Sequence, residues 1–113
     1  HPIVGKRYYE LGKYYSETQQ LDSAEFYFQK AMRFKNDFEK VNDMALNVLL
    51  GDLSVVLSLK GRLKDGIKLL DDRLETINST NHTVTNLLLR YKAYTYFCAH
   101  DFENAKNTYD SSL

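Results

Sequence analysis

Residues 8–32 read YYELGKYYSETQQLDSAEFYFQKAM. Seven aromatic rings stand here among Lys, Glu, Asp and Gln, with a single Gly and two Ala between them. Tyr8, Leu11, Gly12 and Tyr15 recur at three- and four-residue steps, and Leu21, Ala24, Phe28, Ala31 and Met32 do so again. That is the period of a helix with one buried face. Thr18-Gln19-Gln20 separates the two runs and is long enough only for a tight reversal, so the stretch predicts an antiparallel helical hairpin. Small residues at the crossing let two helices approach where a large side chain would hold them apart. Rings one turn away then fill the wedge beside the crossing.

The arrangement recurs along the chain. Gly12 and Ala24 are twelve residues apart, as are Ser54 and Gly66, and Ala93 and Ala105. Around these pairs the first helices carry Tyr8, Leu11 and Tyr15, then Leu50, Leu53 and Leu57, then Leu89, Lys92 and Tyr96. The second helices carry Leu21, Ala24 and Phe28, then Leu63, Gly66 and Leu70, then Phe102, Ala105 and Tyr109. Ala31 extends the first of these rows; Arg73 and Ser112 stand at its equivalents, and of those two only Ser112 is small. Successive units are 42 and 39 residues apart. One hairpin cannot bury both of its faces, whereas three stacked hairpins share a continuous core.

Six helices follow from this register: 5–18, 21–34, about 37–59, 63–77, 84–99 and 102–113. Asn36 and Glu39 fit a capping box at the start of the third. Lys60-Gly61-Arg62 ends it, and the polar stretch NSTNHT at 78–83 reads as a loop. The fold class expected is all-α, with no strand, in a single domain whose hairpins span about 5–35, 37–78 and 84–113.

Composition agrees. The chain has 113 residues, 43% apolar and 27% charged, which suits one small globular domain rather than a disordered segment. One Pro and five Gly favour long helices over a turn-rich β fold. Fifteen basic and fifteen acidic residues balance, so no field draws the chain to nucleic acid or to an anionic membrane. Cys98 stands alone, no internal disulfide can form, and no signal peptide or membrane span is read, so a cytoplasmic setting is expected. No Met precedes His1-Pro2, and the reading is of a piece of a longer protein.

The residues Tyr8, Leu11, Gly12, Tyr15, Ala24, Phe28 and Ala31 resemble the signature of the tetratricopeptide repeat (TPR): an aromatic, Leu-Gly, Tyr, then Ala, an aromatic and Ala in a second helix. The second and third hairpins match in spacing and size class. The units exceed the usual length of about 34 residues, and the Pro that commonly closes a repeat is missing. In this the chain is similar to the longer-repeat subclass found in kinesin light chain and in bacterial peptide-pheromone receptors.

The resemblance implies a right-handed superhelical solenoid whose first helices line a concave groove for an extended peptide or a partner helix. Carried over by register, the lining is Lys6, Tyr9, Lys13 and Glu17, then Val48, Asp52, Val55 and Leu59, then Arg90, Tyr91, Tyr94 and Phe97. Tyr and Arg make good anchors because they bring large contact area at modest entropic cost. TPR modules that grip a C-terminal carboxylate use Lys and Asn on the first helices; Glu10, Lys13, Asp52 and Val55 occupy the matching places, and a more apolar ligand is expected. The implied function is an interaction scaffold for a protein or peptide. The alternative is the peptide-sensing domain of a bacterial transcriptional regulator or phosphatase-type pheromone receptor. The C-terminal helix would keep an apolar face, open to further repeats or to self-association.

Catalysis finds little support in the residues. His1, His82 and His100 fall at the terminus and in expected loops, without metal-ligand spacing. Cys98 lies near a helix end without a partner base and reads as a structural thiol. Gly61 and Gly66 do not make a phosphate loop. No enzyme activity, metal or cofactor is expected. The sequons at Asn78 and Asn81 read as chance in an Asn/Thr-rich loop.

Overall fold

The computed structural model describes residues 2–36, 38, 43–77 and 82–113. Six long helices lie among them: α1 (Pro2–Glu17), α2 (Leu21–Met32), α3 (Asp43–Leu59), α4 (Leu63–Thr76), α5 (His82–Cys98) and α6 (Phe102–Ser112). No strand occurs among the described residues. Helices α1 and α2, α3 and α4, and α5 and α6 pair as antiparallel hairpins, stacked side by side into a slab of 39 × 33 × 18 Å. The middle hairpin's first helix, α3, touches α1, α2, α4 and α5.

The three turns are built alike. Gln19, Gly61 and His100 have φ of 64°, 84° and 62°, the left-handed conformation. In each, the following N–H reaches back five residues: Gln20 to the Tyr15 carbonyl at 2.8 Å, Arg62 to Leu57 at 2.8 Å, and Asp101 to Tyr96 at 3.0 Å. This is the Schellman ending of a helix, which satisfies carbonyls the helix leaves open. The equivalent turn positions are separated by the same 42 and 39 residues as the small-residue pairs.

The crossings differ in detail. At the second hairpin a Cβ on Gly66 would lie 2.7 Å from the Ser54 carbonyl oxygen, so backbone meets backbone as expected. Ser54 is fully buried, and its hydroxyl donates to the Leu50 carbonyl at 2.8 Å, so the small polar residue carries no unmet hydrogen bond. At the first hairpin it is the Phe28 ring that occupies the space beside Gly12, 2.5 Å from where a Cβ would stand. The close partner of Gly12 is therefore Phe28 rather than Ala24. Tyr27 adds to this wedge by stacking on Tyr15 at 5.5 Å and lying 6.3 Å from Tyr8.

The core runs through all the hairpins that α3 joins: Phe28, Leu49, Leu53, Val56, Leu70 and Leu88 are each at most 1% exposed. Arg73, too large for its row, instead spans to α3 and donates through Nε to Asn47 Oδ1 at 2.7 Å; the buried Asn47 Nδ2 finds no hydrogen-bond partner among the described residues. Ion pairs join neighbouring hairpins. Lys60 reaches Asp22 and Glu25 at 2.7 and 2.6 Å, Arg62 reaches Glu25 at 2.8 Å, and Lys92 reaches Asp71 at 2.8 Å. Burial works against the Glu25 carboxylate, but the hydrogen bonds from Lys60 and Arg62 outweigh it and hold its pKa below the ordinary value.

Several boundaries move. α1 begins at Pro2, since the first turn of a helix tolerates Pro. α5 begins at His82, so His82 and Thr83 are helical rather than part of a loop. Asn36 is itself helical, while Glu39, its partner in the expected capping box, and most of the 78–83 loop, with both sequon asparagines, lie outside the described residues.

The turns supply a test. Gly61→Ala forces a Cβ into the left-handed region and is expected to cost about 1 kcal/mol in denaturant unfolding, whereas His100→Gly relieves the same strain and gains about as much. Effects near zero at both positions would show that the left-handed turn geometry does not constrain these residues.

Candidate binding face

The residues expected to line the groove come from α1, α3 and α5, and the structure joins three of them. Asp52 on α3 accepts a hydrogen bond from Tyr9 Oη of α1 at 2.7 Å and another from Tyr91 Oη of α5 at 3.2 Å. One carboxylate thus ties the first helices of all three hairpins. Burial is the largest influence on Asp52 and raises its pKa; the two phenols and the Lys13 charge oppose this without cancelling it, and Glu17 adds to it. Burial likewise raises both tyrosines well above the ordinary phenol value, helped by the adjacent carboxylate.

Gly51 makes the bridge possible. A Cβ there would collide with the Tyr91 ring, so the ring lies directly on the α3 backbone and its hydroxyl arrives at the next residue, Asp52. Gly51 stands outside the small-residue pairs of the repeat register. Its signal was a Gly in the middle of a long apolar helix, where it costs about 1 kcal/mol relative to Ala unless something approaches closely.

Around this half-buried bridge, Lys6, Lys13, Glu17 and Arg90 are exposed, and Val48 and Val55 are likewise half-buried. Leu59 is exposed at the end of α3. Tyr94 and Phe97 are each 54% exposed and stack at 6.1 Å with 13° between their planes. Phe97 also meets Phe102 edge-on at 5.4 Å, and His100 meets Phe102 at 5.8 Å. The expected lining therefore divides. Tyr9, Asp52 and Tyr91 are committed to one another, while the charged residues and the Tyr94–Phe97 pair face solvent. Half-buried Cys98 sits beside Tyr94; burial pushes its thiol up, and the Tyr94 hydroxyl opposes that. An open depression of about 470 Å³ lies elsewhere, between α4 and α5, bordered by Leu63, Ile67, Asp71 and Tyr96. Among the described residues no three His, Cys, Asp or Glu side chains group as metal ligands, and no helix is long and apolar enough to cross a membrane.

Comparison of the chain with family models, with curated proteins and with solved structures finds no match.

Two measurements test the bridge. A double-mutant cycle of Tyr9→Phe and Asp52→Asn is expected to give a coupling energy of about 1.5–3 kcal/mol, the range for a hydrogen bond to a charged group; a coupling near zero rejects the bond. The second is alkaline unfolding. Tyr9 and Tyr91 have raised folded pKa values, so their contribution is intact below the ordinary phenol pKa of 10.0 and is lost as pH climbs above it. The stability advantage of the wild type over Tyr9→Phe/Tyr91→Phe should shrink above that pH. An advantage that stays constant through pH 11 contradicts the placement of the two phenols.

Proposed function

We propose that the chain is a TPR-like array, its hairpins units of a right-handed superhelix, that serves as an interaction scaffold and holds a peptide or helix of a partner protein along the face of α1, α3 and α5. The observation that carries this reading is the Asp52 bridge. It fixes three helices from three hairpins relative to one another, and it leaves a rim of exposed cations and rings: Lys6 and Lys13 on one side, Arg90 and the Tyr94–Phe97 stack on the other. A preorganised face loses little freedom on binding, which favours affinity. Exposed aromatic and Arg side chains are the residue types that most often anchor a partner.

The chemistry favours a ligand with apolar or aromatic side chains for the stack and acidic groups for Lys6 and Arg90. The half-buried Asp52 and its tyrosines support the surface rather than meet the ligand. Their role is structural, and the activity proposed is binding rather than catalysis. A lone Cys98 suits a reducing cytoplasm.

Peptides selected from a random display library against the wild-type chain provide the test. The variant Lys6→Glu/Arg90→Glu/Tyr94→Ala changes exposed rim positions and keeps Tyr9, Asp52, Tyr91 and the Lys13 charge beside them in place. Selected peptides should be enriched in acidic and aromatic residues, and the variant should bind them at least about tenfold more weakly, or 1.4 kcal/mol. Peptides that bind wild type and variant equally would place recognition on another surface.

A further inference from the structure

The two junctions between hairpins are built from equivalent positions, yet only the first is closed by ion pairs. There, where α2 meets α3, Lys60 reaches Asp22 and Glu25 at 2.7 and 2.6 Å, and Arg62 reaches Glu25 at 2.8 Å. The repeat register carries each of these positions to the second junction, where α4 meets α5. Lys64 stands there in place of Asp22, Ile67 in place of Glu25 and Ala99 in place of Lys60. Asp101 replaces Arg62 and is taken up in capping α6, where its side chain accepts from the Asn104 N–H at 3.3 Å. The side chains that close the first junction therefore have no counterpart at the second. The open depression of about 470 Å³ lies at this place.

Leu63 and Ile67 of α4 and the Tyr96 ring of α5, all half-buried, give the depression its apolar lining. Four charged residues border it, and three of them are matched: Lys68 pairs with Asp72 at 3.0 Å, and Asp71 pairs with Lys92 at 2.8 Å. The fourth, exposed Lys64, has no ion-pair partner among the described residues. At the first junction an acidic lining holds cations of its own chain. At the second the lining is apolar with one unmatched cation, so the complementary occupant is an anion with an apolar body. A space of this size suits a small organic molecule. We infer that the depression binds a small organic carboxylate, its ring or branched chain on Leu63, Ile67 and Tyr96 and its carboxylate at Lys64. This site is separate from the face of α1, α3 and α5 and does not depend on peptide binding there.

Titration with naphthoate, followed by two-dimensional NMR of the amide and methyl signals, reads both the place and the strength of binding. Its neutral amide and the cationic naphthylmethylamine keep the ring and change the charge. Naphthoate should saturate with a Kd on the order of 1 mM, as an open site gives a ligand of this size, and should shift the signals of Leu63, Ile67 and Tyr96. The amide should bind about threefold more weakly, the worth of one exposed ion pair, and the amine more weakly still. Lys64→Gln, a change of one exposed side chain, should remove the preference for naphthoate and leave the affinity for the amide unchanged. Lys64→Asp/Ile67→Glu/Ala99→Lys rebuilds the first junction's residues at the second and should abolish naphthoate binding, with folding checked by circular dichroism. No saturation by about 10 mM, or shifts centred on other residues, overturns the inference. So does equal affinity for the three probes, a preference for naphthoate that survives Lys64→Gln, or naphthoate binding by the folded triple variant. None of these changes touches the Asp52 bridge or its rim, so failure here is distinct from failure of the peptide-binding reading.

Discussion

The close approach of α4 to α3 at Gly66 is the constraint on which the rest of the slab depends. The glycine lies against the Ser54 carbonyl, with no room for even a methyl group. That distance brings Leu70 into the core beside Leu53 and Val56. α3 in turn contacts the hairpin before it and the hairpin after it. A shift of the central pair would therefore pass into both neighbours, because closely packed interiors move as units.

The same geometry produces the candidate binding face. Once α1, α3 and α5 lie side by side, Tyr9 and Tyr91 reach one carboxylate from opposite sides. A half-buried Asp is costly unless its charge is met by donors, and two phenols meet it. Gly51 lets the second phenol come close enough. At the outer edge the hairpins are held by Lys60, Arg62 and Lys92 with their carboxylates. Such solvent-screened pairs contribute little to stability and serve mainly to set alignment.

Much of this architecture was legible in the sequence because helical hairpins are encoded locally. The period of Tyr8, Leu11 and Tyr15, the spacing of Ser54 and Gly66, and the break at Gly61 all act within one hairpin. The turns repeat that register although two of the three left-handed positions are Gln19 and His100, residues that do not announce a left-handed backbone. What the sequence did not show depends on distant pairing. The Tyr9–Asp52 and Tyr91–Asp52 bonds span 43 and 39 residues and leave no local trace. Register placed all three on one face, but it could not show that they would be spent on each other rather than offered to a ligand. Arg73 looked like a misfit among small residues until Asn47, on another helix, appeared as its acceptor.

The most direct measurement is the unfolding free energy of Gly66→Ala. Helix propensity alone predicts that Ala in place of Gly inside α4 stabilises the chain by about 1 kcal/mol. The close crossing predicts the opposite sign, a loss of about 1–3 kcal/mol, because the new methyl meets the Ser54 backbone rather than a side chain that can turn aside. A destabilised variant supports the crossing as the constraint that sets the hairpin stack. A stabilised one would mean that α3 and α4 lie farther apart than described, and the alignment of α1, α3 and α5 would lose its foundation.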